Sequence, residues 1–289
     1  AARLQPGLPH RKRPHRVAFL LYAPRPGAPT MLQVLYRDEW LIAIDKPSGL
    51  LVHRSPIAAQ EARFAVQLLR DQIGQRVYPA HRLDRGTSGV LLFALDRTVA
   101  ARLGAQFETR TVDKRYLAIV RGHPAQAGLI DHPLARRLDA IERDRGVGAG
   151  NRDGHPEDLE RDEVTSTALD ARTRFRRLAC AELPHRVDRY ASSRYALLEL
   201  APETGRRHQI RRHLKHISHP IIGDATYGKG RHNRLFAELF DSHRLLLACT
   251  RLALRHPVLD TALEIMAPPA DDFHSVMRGL GWPLELATS

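Results

Sequence analysis

The sequence is poor in several things that would otherwise place it. Two cysteines in 289 residues, Cys180 and Cys249, leave no disulfide framework and no zinc-binding set, which fits a reducing cytoplasm. No apolar run approaches the roughly 18 residues that a bilayer-spanning helix needs. Lysine is scarce, five of the 45 basic residues, so the positive charge is carried by planar guanidinium groups able to clamp phosphates. Genomic base composition explains the same bias equally well. Acid is also short, 32 residues against 45 bases, and the resulting net charge of +13 predicts an acidic partner. Without a membrane segment, that partner is nucleic acid rather than a membrane.

Residues 1–30 hold no acid at all, six bases (Arg3, Arg11, Lys12, Arg13, Arg16 and Arg25) and six prolines. Such a segment reads as a basic flexible tail, or as an extension upstream of a true start at Met31. Its "RVAFLLYA" run is too short for a signal peptide. Globular patterning begins at Met31 and continues to residue 289. "MLQVLY" and "WLIAID" read as strands, "FAVQLLRDQI" and "RTVAARLGAQFE" as helices, and "VDKRYLAIVRG" and "RYALLEL" as further strands. The stretch from Arg136 to Glu163, rich in Arg, Asp, Glu and Gly, reads as a mobile loop.

Three groups of residues attract a chemical reading. In "AHRLDRGTSGVLLFALD", Asp84 stands between Arg82 and Arg85, ahead of a glycine-containing turn and an apolar strand. An Asp beside Gly-Thr-Ser is more often a turn former than a catalyst. The order His-Arg-Leu-Asp also excludes the His-Arg-Asp catalytic loop of protein kinases, whose other motifs are missing. In "ETGRRHQIRRHLKHISHPIIGDATYG", Thr204 is a candidate N-cap, and Ile210, Leu214 and Ile217 have helical spacing. Arg206, Arg207, Arg211, Arg212 and Lys215 ring that stripe, as an RNA-binding face or as a solvated one. His213, His216 and His219 invite a metal reading, but i, i+3, i+6 positions drift around a helix and no carboxylate converges on them, so no metal is expected. In "VDKRYLAIVRG", Tyr116 is either packed in a sheet or available to stack on a base.

Four ordered blocks, "DKPSGLLVHRS", "HRLDRGTSGVLLFA", "KRYLAIVRG" and "TGRRHQIRRHL...HPIIGDATYG", resemble the RluA-type pseudouridine synthases. The resemblance covers essentially everything after Met31 and is greatest to members that modify the uridine at position 65 of tRNA. It implies an α+β fold: a large, mixed but mainly antiparallel sheet with flanking helices and a basic active-site cleft. It implies Asp84 as the catalytic aspartate, Arg82 as the group that fills the space left in the RNA by the flipped nucleotide, and Tyr116 against the uracil. Arg211 would pair with Asp84, and Arg85, Arg206, Arg207, Arg212 and Lys215 would contact RNA. No cofactor is implied, because the glycosidic bond broken is replaced by a carbon–carbon bond within the same nucleoside. The expected partner is tRNA, with ribosomal RNA the alternative substrate and a non-catalytic RNA-binding protein the alternative of another class. A monomer with no protein partner is expected. Two positions depart from the family pattern: Leu247-Ala248-Cys249 stands where Leu-His-Ala is common, and Arg207 where Thr or Lys is usual.

Overall fold

The computed structural model describes residues 31–53, 63–137 and 164–287. The basic tail and all of the 136–163 loop except its first two residues therefore lie outside the described residues. Two residues assigned to that loop, Arg136 and Arg137, end a strand instead. Leu134–Arg137 (β7) pairs antiparallel with Val164–Leu169 (β8), so the two margins of the stretch are hydrogen-bonded to one another.

In chain order the other strands are Gln33–Arg37 (β1), Leu41–Lys46 (β2), Tyr78–Pro79 (β3), Ser88–Ala94 (β4), Asp113–Arg121 (β5) and Ala127–Asp131 (β6). They continue with Arg172–Leu183 (β9), Ser193–Pro202 (β10), Leu247–Arg255 (β11) and Ala262–Met266 (β12). Among the described residues, ten strands form one sheet in the order β1-β2-β4-β11-β5-β10-β9-β6, with β3 added to β4 and β12 to β11. All neighbours run antiparallel except β4 and β11, which pair in parallel at Ala248 with Ser88 and Cys249 with Gly89. This is the mixed, mainly antiparallel α+β sheet expected of the family.

The helices are Ala65–Ile73 (α1), Arg97–Glu108 (α2), Gln209–His216 (α3), Gly230–Phe240 (α4) and Asp271–Gly279 (α5), with a 3-10 turn at Leu284–Ala287. Their boundaries have local causes. Asp96 accepts hydrogen bonds from the backbone of Thr98 and Val99, which caps the start of α2. Gly74 ends α1 in the left-handed region at φ 68°, where a side chain is disfavoured.

The sheet separates two cores over the β5–β10 half. Tyr116, Ala118 and Val120 alternate with Leu117 and Ile119 along β5. The first set shares a core with Ile210 and Leu214 of α3, and the second with Phe236 of α4 and Phe273, Val276 and Met277 of α5. Strand β4 is buried along its whole length. Each Leu or Phe buried there contributes about 1.5–3 kcal/mol, which anchors the polar loop that leads into it.

Helix α3 departs from the expected start. Its N-cap is His208, held at φ 53° with no side-chain cap, so Thr204 does not cap it. The chain between them turns through Gln209 instead. Thr204 Oγ1 donates to Gln209 Oε1 at 2.6 Å and accepts the Arg172 N–H at 3.0 Å, while Gln209 Oε1 also accepts the Arg206 N–H. Thr204→Val keeps the shape but orphans the Arg172 N–H. It should cost about 1–3 kcal/mol, the penalty for an unsatisfied buried donor, as measured by urea unfolding.

Candidate active site

The four residues His81-Arg82-Leu83-Asp84 follow β3 as an extended segment, so their side chains diverge in alternation. His81 and Leu83 turn inward. His81 Nε2 accepts the Leu92 N–H at 3.2 Å and its ring stacks on Phe107, centroids 5.1 Å apart. Burial, aided by the Lys114 charge, pushes its pKa down to about 3, so the ring stays neutral and serves as a fixed acceptor. Arg82 is exposed, and the Asp84 side chain is 26% exposed.

The turn after Asp84 is tied to the turn after β2. Gly49 N–H donates to Arg85 O at 2.8 Å, Ser48 Oγ to Gly86 O at 2.7 Å, and Arg85 Nε to Gly49 O at 3.1 Å. Lys46 lies fully buried beneath, its Nζ donating to the carbonyls of Pro47, Leu50 and Arg85. Burial lowers its pKa to about 7 against the opposing pull of Asp84. Gly89 follows in β4 at φ +102°, and a Cβ there would lie 2.0 Å from the Cys249 carbonyl oxygen. Only glycine lets β11 approach β4 this closely, and that approach brings β5 and Tyr116 toward the Asp84 loop.

The decisive cation comes from 127 residues away. Arg211 Nη1 donates to Asp84 Oδ2 at 3.1 Å. Its remaining edge is held by Asp224, with Nε to Oδ2 at 2.7 Å and Nη2 to Oδ1 at 2.9 Å, the bidentate geometry that fixes a guanidinium's plane. The Asp224 side chain has no exposure, and its Oδ1 also accepts the Thr226 and Tyr227 N–H groups at 2.9 Å. Burial raises the Asp224 pKa, but the Arg211 bonds and charge and the two backbone donors outweigh it and hold the carboxyl below its ordinary range. Burial likewise opposes the charge on Arg211, and the two aspartates overcome it, so its pKa is raised. The Tyr227 ring lies under two cations of α3, 5.0 Å from the Arg211 Cζ and 5.8 Å from Lys215 Nζ. Its hydroxyl is 3.1 Å from His208 Nδ1, and His208 Nε2 reaches to 3.8 Å from Asp84 Oδ1.

Tyr116 is 9% exposed and opposite Cys249 in the β5–β11 register. Burial pushes both groups up, the Tyr116 hydroxyl well above its ordinary range and the Cys249 thiol to about 12. The substituted Leu-Ala-Cys segment therefore places a neutral thiol behind the tyrosine, where the family pattern has an alanine.

The other basic residues named from the sequence are dispersed. Arg85 and Lys215 are exposed, whereas Arg206 donates to the Asp170 carbonyl and Arg212 to the Ala135 carbonyl, each at 3.0 Å. Arg207 is half-buried beside His208. The three histidines also part. His213 bonds Thr173 and the His132 carbonyl, His216 stacks on His132, and His219 bonds the Arg121 carbonyl.

The site thus joins a carboxylate partly open to solvent, an oriented guanidinium that grips it and a basic helix. The profile for RNA pseudouridylate synthase matches residues 40–216. The chain belongs to that family. It is an RNA pseudouridine synthase, an isomerase. It is 42% identical over 252 residues to the tRNA pseudouridine synthase C of Vibrio cholerae, covering 87% of this chain and 97% of that one. The like-named protein of Haemophilus ducreyi is 44% identical over 251 residues, 87% and 96% of the two chains. Among solved structures, human RNA pseudouridylate synthase domain containing 4 superposes with a TM-score of 0.60 at 26% identity, over 86% of the synthase and 93% of the human chain. Human RNA pseudouridylate synthase domain containing 1 gives 0.59 at 26%, over 85% and 86%.

Sequence reasoning passed over Lys46, His208, Asp224 and Tyr227. All four lie inside the quoted blocks, in "DKPSG", "GRRHQ" and "GDATYG", and the signal for each was its block rather than its own residue type. A buried Asp that holds an arginine looks, in sequence, like any turn aspartate.

Proposed function

We propose that the synthase isomerises uridine to pseudouridine in tRNA, at position 65, with Asp84 as the catalytic group. The observation that carries this reading is Asp84 fixed by Arg211, itself fixed by Asp224, in a chain that matches proteins named tRNA pseudouridine synthase C over nearly their full length. The reaction breaks N1–C1′ and joins C5 to C1′, N1 gaining the proton that C5 gives up, so nothing is oxidised or reduced.

A uridine in a stem must leave the helix before a side chain can reach its glycosidic bond, at a cost of a few kcal/mol in lost pairing and stacking. Arg82, exposed next to Asp84, fills the gap with a planar cation. Tyr116 offers the uracil an aromatic face worth about 1–3 kcal/mol. Burial keeps its hydroxyl neutral. Arg211 keeps Asp84 a carboxylate aimed into the cleft, and three reactions suit it there: addition to the base, attack on the sugar, or removal of the 2′ proton. Arg85, Arg206, Arg207, Arg212 and Lys215 supply the phosphate contacts, and the enzyme works as a cytoplasmic monomer.

The test is to map pseudouridines in tRNA and ribosomal RNA from cells with and without the gene, and in transcripts treated with the purified protein. The expected result is loss, and restoration, of one pseudouridine at tRNA position 65. Loss confined to ribosomal RNA would overturn the substrate.

A further inference from the structure

A cavity of about 660 Å³ opens at the far end of β5, lined in part by Arg121, Asp188, Arg189, Tyr190, Arg194 and His232. None of these residues belongs to the Asp84 cleft. Tyr116 and Arg121 are five residues apart on one strand, roughly 16 Å at strand rise, and an odd separation turns their side chains to opposite faces.

Two of the pocket's cations, Arg121 and Arg189, have no acidic partner among the described residues. The backbone of Arg121 is fixed by its N–H to Pro220 O at 3.0 Å and by His219 Nδ1 on its carbonyl at 2.8 Å. Its guanidinium has no hydrogen bond or ion pair among the described residues. Arg189 contacts only an aromatic face, its Cζ lying 4.7 Å above the Tyr190 ring, and that ring is 61% exposed. The one acid of the lining, Asp188, is already engaged, 3.5 Å from Arg231 and 3.6 Å from His232 Nε2. Arg194 is paired with Glu182.

His232 supplies a second, independent observation. It is 4% exposed, and its Nδ1 is 2.9 Å from the Tyr195 hydroxyl. Its Nε2 is buried in the pocket wall without a hydrogen-bond partner. With Tyr195 donating to Nδ1, the ring proton sits on Nε2, where Asp188 Oδ2 at 3.6 Å is beyond hydrogen-bond length and leaves the donor unsatisfied. Two unpaired guanidiniums, an unused buried donor and an exposed aromatic face are what a nucleotide requires: the cations and the imidazole for phosphate, the tyrosine for a base.

We propose that this pocket binds a second nucleotide of the substrate RNA, its phosphate at Arg121 and His232 and its base on Tyr190. The occupant is thus a segment of RNA remote from the reacting uridine, a reading that rests on the RNA substrate proposed above. A folded RNA reaches both places, whereas a short hairpin that contains only the target stem does not.

The experiment compares wild type with Arg189→Ala/Tyr190→Ala, whose side chains are exposed, and with Arg121→Gln. Each is assayed on full tRNA and on a hairpin carrying the same uridine, and by filter binding of tRNA at several salt concentrations. The expected result is a KM for tRNA raised about tenfold, unchanged kcat, unchanged kinetics on the hairpin, and a salt slope of binding smaller by about one for each phosphate no longer neutralised. Unchanged tRNA KM and salt slope would overturn the pocket, as would equal losses on hairpin and tRNA. Calorimetric binding of uridine monophosphate that the variants abolish while tRNA kinetics stay unchanged would also overturn it, in favour of a free-nucleotide site. A wild-type enzyme inactive on tRNA is the failure of the substrate proposal, and the filter-binding arm still reads the pocket.

Discussion

Asp84→Asn should lose at least about 10⁴-fold in pseudouridine formation, the scale on which removing a reacting side chain stops an enzyme, while folding and tRNA affinity change little. The loop that carries Asp84 is not held by its carboxylate. Thr87 N–H donates to the Asp84 backbone carbonyl, and Gly49, Ser48 and Lys46 bind the carbonyls of Arg85 and Gly86. The amide still fills the same volume. The ion pair lost is partly exposed on the aspartate side and is worth about 1 kcal/mol or less to stability, and Arg211 keeps both bonds to Asp224. What disappears is the negative oxygen at the mouth of the cleft. Quantifying pseudouridine in treated tRNA, with filter binding and a melting curve on the same preparation, separates chemistry from fold. Activity within tenfold of wild type would remove Asp84 from the reaction.

The second large effect is on stability. Asp224→Ala removes a fully buried carboxylate and leaves Arg211, whose side chain is 11% exposed, with Asp84 as its remaining carboxylate. Breaking a buried pair in this way costs about 3–5 kcal/mol, which for a chain of this size lowers Tm by roughly 6–20 °C. Activity should fall as well, because the plane of Arg211 is set by Asp224 and its reach to Asp84 depends on that plane. The pH dependence has a definite sign. The Asp224 carboxyl is held below its ordinary value of 3.8 in the folded protein, so its contribution is complete above that value and is lost as pH falls through the folded pKa. Wild type and Asp224→Ala should therefore differ by a constant amount above about pH 5 and converge in acid, as read by urea unfolding across pH. A gap that persists undiminished at pH 2 would mean that packing, not the ion pair, carries the effect.

The strands and helices that were legible in the sequence are those whose pattern is local. "RTVAARLGAQFE" reads as a helix and is α2, residue for residue, because its cap, Asp96, sits in the adjacent position. "VDKRYLAIVRG" alternates and is β5. Thr204 misled because a Thr ahead of an apolar helical stripe has the pattern of a cap. Its hydroxyl was claimed by Gln209 and the Arg172 N–H, and the latter belongs to a strand 32 residues earlier. Arg206 and Arg212, proposed as phosphate ligands, each also donate to a backbone carbonyl, Asp170 O and Ala135 O, that the sequence around them does not reveal.

The sequence by itself determined the basic character of the chain, the order of its motif blocks, the family they resemble and the aspartate which that resemblance nominates, because each of these is written in consecutive residues. The resemblance also implied the Arg211–Asp84 pair, and only the tertiary structure decided its geometry and its supports. Arg211 approaches Asp84 across 127 residues, Asp224 sets the plane of that arginine, Lys46 supports the loop from below, and Gly89 admits the strand that brings Cys249 alongside Tyr116. The physical reason is that a charge–charge contact depends on where two backbones are placed in space. That placement is fixed by the packing of the sheet and α3, which no local pattern encodes.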